Sequence, residues 1–120
     1  MENNEIIIDR DTKLTAELLA EFKKRYKKIY KTVLIDGTEI IWRRFNRNEY
    51  KELMLNKEMG TNGDERLWAR EEECCRMVVL YPCREILDEI MEDMAGVATI
   101  LSDDIYEQSG FRVSKRTEQI

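Results

Sequence analysis

Cationic side chains are the most concentrated chemical groups in this sequence. The stretch KKRYKKIYK, residues 23–31, carries six cations in nine residues, with Tyr26 and Tyr30 between them. Lysine and arginine neutralise phosphate groups and tyrosine rings stack on bases, so this stretch could bind nucleic acid. The residues that would form such a polyanion site are Lys23, Lys24, Lys27, Lys28, Arg43, Arg44 and Arg47.

A solvated helix surface is the competing interpretation of the same charges. If a helix runs on from Lys13, Tyr26 and Ile29 continue its apolar stripe and the lysines cover its wet side. The chain has a net charge of −5 and contains no recognisable nucleic-acid-binding motif. Arg43 and Arg44 would point to opposite faces of one strand, so the two side chains could not bind the same phosphate group. The sequence therefore favours the solvated surface and leaves nucleic acid as the lesser alternative.

Enzymatic chemistry has few candidate residues in this chain. Histidine is absent, so an acyl-transfer triad would lack its usual base, and no GxxxxGK, GxGxxG or GxSxG motif is present. The three cysteines, Cys74, Cys75 and Cys83, have neither the spacing of a zinc site nor that of a disulfide framework. We therefore predict a non-enzymatic protein without a cofactor or a metal site.

The charge distribution and the apolar runs constrain partners and location. Residues 1–60 carry 13 Lys+Arg against 11 Asp+Glu, whereas residues 61–120 carry 7 against 14. This asymmetry suits a charged partner or head-to-tail self-association. No apolar run approaches the ~20 residues that cross a bilayer, and the N-terminus resembles no signal peptide, so we expect a cytoplasmic protein without a membrane partner.

Helical spacing and turn residues predict the first elements. Apolar residues recur at helical intervals from residue 13 to residue 29, which predicts an amphipathic helix that is basic near its end. Asp36 and Gly37 then predict a type I′ hairpin with a two-residue loop. In that register Val33 faces Ile40.

A lone hairpin is marginal in water, so this one should recruit a third strand. The β-branched run Ile6, Ile7 and Ile8 is the candidate, provided by the same chain or by a neighbouring copy. The sequence therefore predicts a self-association strand and a homo-oligomer.

The second half of the chain reads as helical. Asn46 and Glu49 have the spacing of a capping box, which opens a helix directly after the hairpin. Three further helices follow, and Gly110 is placed to end the last one in a left-handed conformation with Phe111 folded back. We predict an α+β, mostly helical fold: a β-hairpin packed on an amphipathic helix, then a three-helix C-terminal half.

The chain is interpreted as one domain, residues 1–120. Its N-terminal half spans residues 1–59, its acidic helical half residues 64–111, and residues 112–120 form a loose polar tail.

Three segments together are similar to a known family: DGTEIIWRRFNRNEYKEL, VLYPC and AGVATILSDDIYEQSGF. They resemble the tail assembly chaperones, and related small virion-assembly proteins, of long-tailed bacteriophages. The positions that carry the resemblance are Asp36, Gly37, Trp42, Arg43, Arg47, Glu49, Tyr50, Tyr81, Pro82, Ala95, Gly96, Ile105, Ser109, Gly110 and Phe111. The resemblance implies a non-enzymatic protein of the host cytoplasm that transiently coats the helical tape-measure protein during tail assembly.

The leading hypothesis is therefore a chaperone whose apolar helical face binds amphipathic segments of the tape-measure protein or another tail protein. The residues expected to form this partner-binding face are Ile86, Ile90, Met91, Met94 and Ile105. The alternative is a small structural protein of the tail or connector, which would be found in the virion. A nucleic-acid binder that uses the basic helix is the third hypothesis.

Overall fold

The computed structural model describes residues 6–55, 63–111 and 116–120. Within them the fold is α+β and mostly helical, as predicted, with a three-stranded antiparallel sheet in the order β1-β2-β3. The elements are α1 (Ala16–Arg25), β1 (Ile29–Val33), β2 (Glu39–Arg43), α2 (Arg47–Leu55), α3 (Gly63–Val78), β3 (Val79–Tyr81), α4 (Arg84–Asp93) and α5 (Val97–Tyr106), with a single π-helical turn at Glu107–Phe111.

Helix α1 is shorter than the sequence predicted. It begins after Thr15, whose hydroxyl oxygen accepts a 3.1 Å hydrogen bond from the Leu18 N–H, and it ends at Arg25. Tyr26 is already extended, because the β-prone residues from Ile29 onwards join the sheet. The run of cations is therefore not one basic helix: it covers the last turn of α1, a short connection and the start of β1.

The hairpin loop has three residues rather than the predicted two. The Gly37 N–H donates to the Leu34 carbonyl at 2.9 Å, and the Leu34 N–H donates to the Thr38 carbonyl at 2.8 Å. Gly37 has φ +89°, so the loop is a turn followed by a left-handed residue. This three-residue loop is the next commonest hairpin connection after the two-residue one.

The longer loop shifts the predicted register by one residue. Ile40 pairs with Thr32 instead of Val33, and Trp42 pairs with Tyr30. The two aromatic rings stack with centroids 4.7 Å apart, and the Trp42 indole N–H donates to the Thr32 hydroxyl at 2.9 Å. These pairs put Ile40 and Trp42 on the face of the sheet that is buried in the core.

The third strand is not the N-terminal run. Ile6, Ile7 and Ile8 lie outside any strand, and the Ile7 side chain is largely exposed. Strand β3, which directly follows α3, pairs with β2 instead. Since β3 belongs to the C-terminal half, its pairing with β2 joins the two halves of the chain.

Helices α2 to α5 pack around a common core that includes Ile40 and Trp42 of the sheet. Ile41, on the other face of β2, is buried outside this core. Helix α3 lies along α5, and both α2 and α4 contact α3. The largest fully buried side chains are Ile40, Ile41, Leu87, Leu101, Ile105, Val78, Cys74 and Cys75. The segment between α2 and α3, residues 56–62, lies outside the described residues, and of the predicted tail only residues 116–120 are described, without secondary structure.

The predicted capping residues are found at two helix ends. The Glu49 N–H donates to the Asn46 side-chain oxygen at 2.9 Å, and the Asn46 N–H donates back to the Glu49 carboxylate at 3.0 Å, which confirms the capping box. Gly110 has φ +101°, the predicted left-handed conformation. Phe111 folds back onto the rings of Tyr50 and Tyr106.

Candidate interaction surfaces

The predicted partner-binding face is largely used inside the protein. Met91 and Ile105 are 8% and 0% exposed, and both belong to the core. Ile86, Ile90 and Met94 are half-buried. A partner therefore finds no apolar surface at Met91 or Ile105, because α3 and the neighbouring helices already cover this side of α4 and α5.

A different surface leaves apolar groups uncovered. A groove of about 450 Å³ lies between α2, α3 and α5, and we call it the α2–α5 groove. Its lining residues are Tyr50, Met54, Leu67, Arg70, Glu71, Thr99, Ser102, Asp103, Tyr106 and Phe111.

Aromatic rings form one side of the α2–α5 groove. The rings of Tyr50 and Phe111 lie 4.8 Å apart, and the Tyr106 ring meets Phe111 edge-on at 5.1 Å. Behind them Phe45 contacts Tyr106 at 5.1 Å, also edge-on. Burial raises the pKa of the Tyr106 phenol to about 12, since the ionised form would lose water.

Two large apolar side chains at the groove remain open to solvent. Leu67 on α3 is 51% exposed, and Phe111 is 47% exposed. Polar groups flank them: the Thr99 hydroxyl donates to the Glu71 carboxylate at 2.7 Å, and Asp103 lines the groove on α5. The groove can therefore accept apolar side chains, and its charged lining consists of the two carboxylates and Arg70.

Comparison with known proteins yields no relative: no protein-family model, no curated protein and no solved structure matches the chain. The resemblance to tail assembly chaperones therefore rests on the sequence motifs alone.

Several residues that carry the resemblance have structural roles. Arg43 donates two hydrogen bonds to the Glu49 carboxylate, at 2.9 and 2.7 Å, and a third to the Met77 carbonyl at 3.3 Å. These contacts fasten the end of β2 to α2 and to the end of α3. The hydrogen bonds from Arg43 lower the pKa of Glu49, and the same contact raises the pKa of Arg43.

The predicted polyanion residues separate into two groups. Four of them, Lys27, Lys28, Arg43 and Arg44, line a concavity of about 490 Å³ beside the end of α1. The remaining three, Lys23, Lys24 and Arg47, lie outside it. The Lys24 ammonium lies 3.5 Å from the Glu21 carboxylate, and the Arg47 guanidinium lies 5.3 Å from the centre of the Tyr50 ring.

Two features of this concavity were missed in the sequence. Arg25 also lines it but was left out of the predicted set, although its position inside the basic run indicated it. Arg44 lies just beyond β2, so strand alternation does not separate it from Arg43, and both side chains reach the same concavity.

The part of the chain that the structure describes contains neither a metal site nor a membrane-spanning helix. Cys74, Cys75 and Cys83 are buried free thiols, and burial raises the pKa of Cys75 to about 12. Among the described residues no group of three or more Cys, Asp or Glu side chains could hold a metal ion. No helix of residues 6–55, 63–111 or 116–120 is long and apolar enough to span a bilayer.

Proposed function

We propose that this chain is a non-enzymatic tail assembly chaperone of a long-tailed bacteriophage that binds a helical segment of the tape-measure protein in the α2–α5 groove. The observation that carries this proposal is the pair of exposed apolar side chains, Leu67 and Phe111, at a groove already lined by aromatic rings. The motif resemblance supplies the phage context.

The shape and composition of the groove suit an amphipathic helix. Such a helix inserts apolar side chains spaced three and four residues apart into a hydrophobic groove. Met54 lines the groove, and methionine adapts to differently shaped partners. Leu67 and Phe111 come from separate elements, so an inserted side chain would be enclosed from two sides.

Charge selects among amphipathic helices. Residues 61–120, which provide most of the groove, carry 7 Lys+Arg against 14 Asp+Glu. Among the charged residues that line the groove, Glu71 and Asp103 outnumber the one cation, Arg70, so the lining itself keeps a net charge of −1. The expected occupant is therefore a helix with one apolar face flanked by lysine or arginine.

A peptide-binding experiment tests the groove. Synthetic amphipathic helices from the tape-measure protein, basic and acidic ones compared, would be titrated by calorimetry. Leu67→Asp should weaken binding of the basic helix at least tenfold, since it removes an apolar contact. Ile100→Asp, at a somewhat more exposed apolar position on α5 outside the groove, is the matched control and should leave binding within about twofold. Equal losses in both variants would reject the groove.

The phage context needs a separate test. Affinity capture from infected cells, analysed by mass spectrometry beside purified virions, should recover the tape-measure protein while this chain is missing from the particle. Presence in the virion at a fixed copy number would make the chain a structural component instead.

A further inference from the structure

The concavity beside the end of α1 concentrates positive charge in an acidic protein. Its charged lining residues are Arg25, Lys27, Lys28, Arg43, Arg44 and Glu49, and we call it the basic pocket. Five cations face one carboxylate there, whereas the whole chain has a net charge of −5.

One of the five cations is already engaged. Arg43 holds Glu49 through two short hydrogen bonds, so these two charges cancel. Across the described residues 6–55, 63–111 and 116–120, the other four cations form no ion pair with a carboxylate: Arg25, Lys27, Lys28 and Arg44. All four side chains are exposed.

Other exposed cations of the described residues, such as Lys13 and Lys51, also lack an ion pair, but they do not line a shared concavity with further cations. Other cations elsewhere are paired with carboxylates. Arg76 contacts both Glu73 and Asp88, and Arg10 contacts Glu89 at 3.0 Å. Four adjacent positive charges without counter-charges repel one another, and an entering anion relieves that repulsion. The basic pocket is therefore equipped for an external anion that carries several charges.

The remaining lining groups indicate which anion. Tyr26 lies between the cations, with the Arg43 guanidinium 5.5 Å from its ring centre. Cations that follow a backbone, combined with an aromatic ring on which a base can stack, are how proteins bind single-stranded nucleic acid. The planar guanidinium of arginine also donates two parallel hydrogen bonds to a pair of phosphate oxygens. An acidic protein segment would use the charges but would gain nothing from the part of the Tyr26 ring that Arg43 leaves exposed.

We propose that the basic pocket binds the phosphodiester backbone of single-stranded nucleic acid, through Arg25, Lys27, Lys28 and Arg44. The footprint is a few nucleotides, because four cations can each contact about one phosphate. This site is separate from the α2–α5 groove, so it adds a second partner to the proposed function and does not depend on it.

The salt dependence of binding tests the proposal. Fluorescence anisotropy would follow labelled oligo-dT and oligo-U, about 20 nucleotides long, on the full chain. Four phosphate contacts predict a slope of log K against log salt of about −3, or a loss of about 50-fold in affinity between 50 and 200 mM salt. No binding at the lower salt concentration would overturn the proposal.

Matched variants locate the site. Lys27→Gln with Arg44→Gln should weaken binding at least about tenfold and reduce the magnitude of the salt slope by about 1.4. Lys13→Gln with Lys51→Gln makes the same change in net charge at exposed positions outside the pocket, and should change affinity less than about threefold. Equal losses in the two pairs would show non-specific attraction and reject the pocket.

A chemical competitor separates nucleic acid from acidic protein. Polyglutamate with the same number of charges should displace the oligonucleotide poorly, because it offers no base to stack on Tyr26. Displacement as efficient as that by unlabelled oligo-dT would overturn the assignment to nucleic acid. Since Leu67→Asp leaves the basic pocket intact, it should not alter oligonucleotide binding, so the groove and the pocket can fail independently.

Discussion

The basic pocket and the α2–α5 groove lie on either side of Phe45, and each leaves a different kind of group without a partner. The pocket exposes cations without carboxylates, whereas the groove exposes Leu67 and Phe111 without apolar cover. Exposed apolar side chains such as Ile35 and Ile100, and exposed cations such as Lys13, also occur elsewhere in the described chain, but none of these three lines either region. What distinguishes the two regions is that each gathers groups of one kind around a concavity, cations in the pocket and apolar side chains in the groove.

The two regions are also held together differently. Arg43 and Glu49, an ion pair with both side chains only 20% exposed, fix the wall of the basic pocket. Packed aromatic rings fix the wall of the groove. Each type of support can be removed separately.

Removing Phe45 should damage both regions at once. The side chain is buried, lines the basic pocket and contacts the rings of Tyr106 and Phe111. Phe45→Ala should lower the free energy of unfolding by about 3–5 kcal/mol, because it deletes a buried ring and leaves a cavity. Urea denaturation followed by tryptophan fluorescence measures this change.

Phe111→Ala is the matched control for that prediction. The Phe111 ring belongs to the same cluster but is about half exposed, so its loss should cost about 1 kcal/mol. Equal costs for the two variants would mean that Phe45 does not form the shared support of the two regions.

Breaking the ion pair should affect the basic pocket and spare the groove. Arg43→Ala should lower the free energy of unfolding by about 2–3 kcal/mol, because the half-buried Glu49 carboxylate loses two charged hydrogen bonds. A double-mutant cycle with Glu49→Gln, measured by urea denaturation, should give a coupling of about 1.5–3 kcal/mol.

The exposed pair Lys31 and Glu39, 3.7 Å apart, provides the comparison for this cycle. Its coupling should stay below about 1 kcal/mol, since water screens exposed charges. A coupling as small for Arg43 and Glu49 would contradict their role as the support of the pocket.

The sequence predicted those features that depend on neighbouring residues. The capping box of Asn46 and Glu49 and the left-handed Gly110 require only side chains three or four positions apart. The helical content and the order of most elements follow from apolar spacing in the same way.

The hairpin register, the third strand and the burial of helix faces depend on the loop that forms and on residues far apart in the sequence, so local patterns did not predict them. The observed hairpin register differs from the predicted one because Asp36 and Gly37 suit both a two-residue loop and a three-residue loop, and the protein forms the longer one. The third strand was predicted wrongly because β3 has only three residues, and so short a segment shows no periodic pattern in the sequence. Apolar spacing identified Ile105 as part of a helix face, but spacing does not say whether a partner or the core covers that face.

The pH dependence of stability should distinguish the charged support from the aromatic one. The hydrogen bonds from Arg43 hold the pKa of Glu49 below its ordinary value of 4.5. Because the folded-state pKa is depressed, the stability contributed by Glu49 is present above pH 4.5 and is lost as the pH falls through the folded pKa.

Urea denaturation of the wild type and of Glu49→Gln measures this contribution. The difference between their free energies of unfolding should be constant from about pH 7 to about pH 5 and should shrink towards about pH 3. A difference that does not change down to about pH 3 would show that the carboxylate charge is not what holds the pocket.

The ionisation of Tyr106 reports on the groove and is the smallest effect. Its pKa is raised from 10.0 to about 12 by burial, so the phenolate should form late in an alkaline titration. The absorbance of the wild type minus that of Tyr106→Phe isolates this group, and the same titration in urea should return the midpoint to about 10. Since the folded pKa is raised, any stability that Tyr106 contributes is complete below pH 10.0 and declines towards about pH 12. If Tyr106 instead ionises at its ordinary pKa in the folded protein, water reaches the aromatic wall freely. The α2–α5 groove would then gain little from burying an apolar side chain, and the contrast with the basic pocket would disappear.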